Sequence, residues 1–90
     1  MEQGRHNIVG KTIRKLRNAK KLTQETLAAR RGVAGVEIAR GTLAKIEAGI
    51  RGVANIELFV IARVLGVTME ELFPPRFSSR LKNGEFAKRE

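Results

Sequence analysis

The chain has no cysteine, tryptophan or tyrosine, and its aromatic content is four phenylalanines. Without cysteine there are no disulfides and no thiolate metal sites, which fits a cytoplasmic home. With so few aromatic faces, stacking on unpaired bases is not an available binding mode. His6 is the only histidine. It lies in a polar N-terminus with no second His or Cys nearby in sequence, so no metal is expected. No apolar run approaches the roughly 18 residues of a membrane span, and the N-terminus lacks the apolar core of a signal peptide. Nucleophile motifs, phosphate-binding loops and dinucleotide-binding glycine patterns are missing too, so neither catalysis nor a cofactor is expected. The acidic pair Glu70-Glu71 reads as helix N-terminal charge that favours the dipole, not as general acid and base.

What the chain does have is aliphatic residues and positive charge. Hydrophobic residues make up 42% of the sequence, enough for a folded globule. Ninety residues suffice for one compact domain. The net charge of +9 is uneven: residues 1–22 carry +6, residues 56–73 carry −2, and residues 74–90 carry +3. Phosphate backbones and anionic membranes both attract such a surface. The first helix, however, has a narrow apolar stripe that suits a core better than a bilayer.

The apolar spacing is helical, with a period near 3.6 over the first 73 residues. It predicts a first helix from Ile8 to Lys20 with Val9, Ile13 and Leu16 on one face. Thr23 would cap a second helix, Gln24–Arg31, burying Leu27 and Ala28, with Gly32 closing it. A third helix, Arg40–Ala48, would turn Leu43 and Ile46 inward and end at Gly49. Asn55 would cap a fourth, Ile56–Leu65, whose Leu58, Ile61, Ala62 and Leu65 follow i, i+3, i+4, i+7 spacing. Thr68 and Glu71 form a capping box, with Val67 and Leu72 as its hydrophobic staple. They would start a short fifth helix, which Pro74-Pro75 stops. The expected fold is therefore all-α, a compact five-helix domain over residues 8–73. A flexible N-terminus (1–7) and a short basic extension (74–90) flank it. In that extension Asn83-Gly84 signals a hairpin between Phe77, Leu81 and Phe86; a sixth helix from Ser78 to Lys82, or a loose basic end, are the alternatives.

A pair of helices joined by a glycine-containing turn is common and by itself says little. Here three stretches follow one another in order: Arg14-Lys-Leu-Arg-Asn-Ala-Lys-Lys-Leu-Thr-Gln-Glu-Thr-Leu-Ala28, then Thr42-Leu-Ala-Lys-Ile-Glu-Ala-Gly49, then Glu57-Leu-Phe-Val-Ile-Ala-Arg-Val-Leu-Gly-Val-Thr-Met-Glu-Glu-Leu-Phe73. Over residues 8–73 this series resembles the phage-repressor, Cro-like (xenobiotic-response-element type) family of helix-turn-helix regulators. The resemblance implies double-stranded DNA as the partner. It implies base reading by Arg40, Gly41, Thr42, Ala44 and Lys45, in the first two turns of the third helix. Arg and Lys can address the O6/N7 edge of guanine, and a threonine methyl can meet that of thymine; for Arg40 and Lys45 the rival role is phosphate contact.

The resemblance also places Gln24 and the capping residue Thr23 against a backbone phosphate, as a helix N-terminus would favour. The alternative for Gln24 is a plain polar residue in an exposed first turn. After Gly49, the main chain at Ile50 and the side chain of Arg51 would grip a second phosphate. Arg17 and Glu47 take the positions of a structural ion pair that locks the recognition helix to the first helix. The chain departs from the family in its turn between the second and third helices. Gly32 to Ala39 spans eight residues, against the usual three or four. The long turn would lay Val36 or Ile38 on the core or bring main chain to the DNA backbone. Ala39 also stands where a Ser or Thr cap is usual, and Gly41 weakens the helix it opens by about 1 kcal/mol.

The resemblance implies a small transcriptional repressor, cytoplasmic and nucleoid-associated in a bacterium or phage. It would act as a homodimer on an inverted repeat. Leu72, Phe73, Phe77, Leu81 and Phe86 would supply the dimer surface, or else complete the core. With no sensor domain in view, regulation would come from a protein partner, from concentration or from turnover. The rival function is a protein-interaction module, such as an antitoxin or partner-binding subunit, built on the same fold. RNA binding is a more distant alternative.

Overall fold

The computed structural model describes residues 6–30 and 37–75. Four α-helices follow in order: α1 (Gly10–Ala19), α2 (Gln24–Ala29), α3 (Arg40–Ala48) and α4 (Asn55–Leu65). A 3-10 turn at Glu70–Leu72 follows them, and no strand occurs among the described residues. The expectation of a fifth helix is thus corrected to a single 3-10 turn. Its capping box does form: Thr68 N–H donates to Glu71 Oε1 at 2.8 Å, and Glu71 N–H donates to Thr68 Oγ1 at 3.2 Å. But Phe73 is already extended (φ −89°, ψ 154°) because the following proline excludes the helical conformation, and one turn cannot propagate. The hairpin or sixth helix considered for the tail, with Phe77, Leu81 and Phe86, lies outside the described residues, as does Val36.

The helix ends follow from local chemistry. Thr23 Oγ1 accepts from Thr26 N–H at 2.9 Å and starts α2, which stops at Ala29 because Arg30 is extended. At α4 the cap is Ala54, not Asn55: the Glu57 carboxylate accepts from Ala54 N–H at 2.9 Å and starts the helix one residue early. Gly49, at φ +79°, ends α3 with paired bonds from Gly49 N–H to Ile46 O and from Ile50 N–H to Lys45 O.

The start of α1 departs most from expectation. The sequence puts Asn7 in a loose terminus, yet it is half-buried and tied at four points. Its Oδ1 accepts from Gly10 N–H (2.7 Å) and Val9 N–H (3.0 Å), capping α1. Its Nδ2 donates to Ile46 O (3.0 Å) and Arg51 O (2.8 Å), on either side of the α3 terminus. His6 N–H adds a bond to Gly49 O at 2.6 Å. Gly10 is buried beneath this clasp, where a Cβ would collide with the Ile46 carbonyl oxygen.

One core joins all of these elements. Val9, Ile13, Leu27, Ile38, Leu43, Ile46, Val60, Ile61, Ala62, Leu65 and Leu72 are buried, and α3 packs against both α1 and α2. Ile38 shows that the end of the long connection is laid on the core. Val60 takes the inward place expected for Leu58, which is only half-buried. Leu72 is fully enclosed and cannot belong to a dimer surface; burial of its side chain is what holds the last turn in place. Phe73 beside it is half-buried against the same core.

Candidate nucleic-acid interface

Helix α3 has two different sides. Leu43, Ile46 and Glu47 point into the protein, while Arg40, Gly41 and Lys45 are exposed and Thr42 and Ala44 are half-buried. The inward side is fixed by charge as well as by packing. Arg17 Nε donates to Glu47 Oε2 at 2.7 Å and its Nη2 donates to Glu47 Oε1 at 2.9 Å. Arg17 Nη1 donates to Leu22 O at 2.7 Å, so the guanidinium joins the end of α1, the α1–α2 turn and α3. Both side chains are nearly removed from solvent. Donating hydrogen bonds to the Glu47 carboxylate holds the Arg17 guanidinium above its ordinary pKa, and desolvation only partly opposes it.

Gln24 belongs to the same cluster, because its Nε2 donates to Glu47 Oε1 at 3.0 Å. Thr23, the other residue assigned to the DNA backbone, is exposed with its hydroxyl capping α2 and donating to Thr26 Oγ1 at 2.8 Å. Beyond α3, Arg51 makes a forked pair with Glu57, Nη1 to Oε1 at 2.9 Å and Nη2 to Oε2 at 3.1 Å, and reaches Gly52 O at 2.9 Å. The Glu57 pKa lies below its ordinary value, chiefly because of the Arg51 hydrogen bond. The main-chain grip assigned to Ile50 is corrected: its N–H closes the end of α3 on Lys45 O, as a glycine-ended helix requires. The Ile50 side chain is exposed.

In front of α3 lies an open cleft of about 730 Å³, between the end of α1, the start of α2 and the first face of α3. Arg14, Lys21, Gln24, Arg40 and Ala44 line it. Neither the helical period nor the family resemblance gives Arg14 or Lys21 a task. Glu25 and Glu47 line the cleft as well, no aromatic residue does, and Arg40 and Ala44 of α3 form one of its walls. Asn7 was also missed; an Asn three residues before a glycine at a helix start is the signal that would have found it.

Two short helices packed on each other, the second fixed by its neighbours and open on its polar face, define a helix-turn-helix domain. A helix-turn-helix family model matches residues 13–72, two thirds of the chain. The chain belongs to the Cro/C1-type helix-turn-helix family of DNA-binding domains, a class of transcription regulators. No curated relative and no solved structure matches it. Among the described residues no helix is long and apolar enough to cross a membrane.

Proposed function

We propose that the protein is a sequence-specific regulator, a repressor that binds an inverted repeat in duplex DNA as a homodimer and reads bases with α3. The observation that carries this reading is Gly41. Nothing lies within 4 Å of where its Cβ would be, and its backbone is helical, so the fold itself does not require glycine there. Glycine in that exposed turn weakens the helix by about 1 kcal/mol relative to alanine. What glycine there does permit is close approach of the α3 backbone to another molecule. Arg40 and Lys45 flank that point, with Thr42 and Ala44 on adjoining positions. They would meet base edges, with the ends of Arg40 and Lys45 also able to reach phosphates.

The bonds already made leave donors over for the phosphate contacts. Gln24 has a second amide hydrogen beyond the one given to Glu47, and Arg51 keeps donors that Glu57 and Gly52 do not use. With Leu72 inside the core, Ile56 and Phe59, exposed and one turn apart on α4, are a second apolar pair that the dimer contact could use beside Phe77, Leu81 and Phe86.

Selection from random duplex DNA at moderate salt should enrich a palindrome with half-sites about 34–36 Å apart. Enrichment of a single asymmetric half-site would remove the homodimer from this reading. Enrichment of nothing would overturn specific DNA reading and favour the protein-interaction module. Gly41→Ala should raise the melting temperature by about 4–8 °C, since it adds about 1 kcal/mol of helix stability. The same variant should bind the selected duplex at least about tenfold more weakly, a loss of about 1.4 kcal/mol. Full retention of affinity in a titration would show that Gly41 does not approach DNA.

A further inference from the structure

We propose that Lys21 is a phosphate-gripping residue held in a disfavoured backbone conformation, and that with Arg14 and Arg40 it forms a subsite for the sugar-phosphate backbone of duplex DNA. This rests on the DNA-binding reading above and adds a contact to it. Among the described residues, three helices end in the same hydrogen-bonded motif. In α3 and α4 the residue that turns left-handed is glycine, Gly49 at φ +79° and Gly66 at φ +74°. In α1 it is Lys21, at φ +59°, the one non-glycine residue with positive φ among those described. The bonds are equivalent: Lys21 N–H donates to Asn18 O at 2.9 Å and Leu22 N–H to Arg17 O at 3.1 Å, matching Gly49 N–H to Ile46 O and Ile50 N–H to Lys45 O.

A side chain with a Cβ is disfavoured in that conformation, and glycine is the usual solution. Arg17 overrides the preference by clamping the next residue through Leu22 O. The fold therefore tolerates lysine but gains nothing from it, and residues held this way concentrate at functional sites. Lys21 lines the cleft in front of α3 together with Arg14 from α1 and Arg40 from α3. Glu25 and Glu47 also line it, but Glu47 is matched by Arg17, so three cations from three different elements face one remaining acid. A point charge on a flexible stem suits a phosphate oxygen, with no demand on base sequence.

The test uses the whole chain and a random-sequence duplex two helical turns long, with affinity measured across a salt series and stability by thermal melting. Lys21→Gly should melt several degrees above wild type, because it relieves the disfavoured backbone. It should bind DNA about 5–10-fold more weakly near 0.1 M salt, and the slope of log K against log salt should shrink by about 0.9. Lys21→Asn, which tolerates the same backbone without the charge, should lose the same affinity. Lys21→Arg should keep both affinity and slope. If wild type binds duplex and Lys21→Gly matches it in affinity and slope, the subsite is overturned while the DNA reading stands. If wild type itself shows no salt-dependent duplex binding, the DNA reading falls and the subsite with it.

Discussion

Glu47→Ala is expected to lower the folding stability by about 3–5 kcal/mol, because it leaves a buried guanidinium without its partner. Arg17 is only 8% exposed and would lose two of its hydrogen bonds, while Gln24 would lose the one it gives to Glu47. For a domain of this size the melting temperature should fall by at least about 12 °C, at about 4–8 °C per kcal/mol. DNA binding should fall with it, since the pair holds the reading helix against α1. Joint replacement of Arg17 and Glu47 by apolar residues of similar volume should recover much of the melting temperature, because the unpaired buried charge is then gone. Unchanged melting of Glu47→Ala with binding lost would show that Glu47 acts on DNA and not on the placement of α3. Thermal melts and duplex titrations of the same preparations would separate the two.

Gly10→Ala should be damaging too, though less so, for a steric reason. The added methyl would meet the Ile46 oxygen at a distance no real Cβ tolerates, and the Glu47 oxygen at 3.0 Å. Both are backbone atoms of α3, which cannot rotate away as a side chain would, so α1 and α3 must separate. Overpacking of this kind costs about 1–3 kcal/mol, and here it also strains the Asn7 bonds to Ile46 O and Arg51 O. The expected result is a fall in melting temperature of about 4 °C or more together with weaker duplex binding. A variant that melts like wild type would mean that the two helices have slack where they cross.

Much of this architecture is legible in the sequence because it is set by short-range rules. The 3.6-residue period and the Gly49 terminus mark the body and the end of α3, and the Thr68–Glu71 capping box forms as its spacing predicts. Local rules misjudged places where two of them compete. Pro74 overrode the capping box and left one 3-10 turn, and Glu57 moved the start of α4 from Asn55 to Ala54. Arg17 and Glu47 are 30 residues apart, and no period links them; resemblance to the family named the pair, and the structure shows the bonds.

The exposed segment Arg40–Lys45, its helical form and its basic character were determined by the sequence alone. What that segment is fastened to was decided by the tertiary structure. Asn7 reaches Ile46 across 39 residues, Gly10 makes room for the same carbonyl, Leu72 turns inward, and Lys21 comes to share a cleft with Arg40. The physical reason is range. Periodicity, caps and helix ends are determined over three to five residues along the chain. Which polar or small residue finds a particular carbonyl oxygen depends on how the packed helices lie, and packing is a property of the whole core.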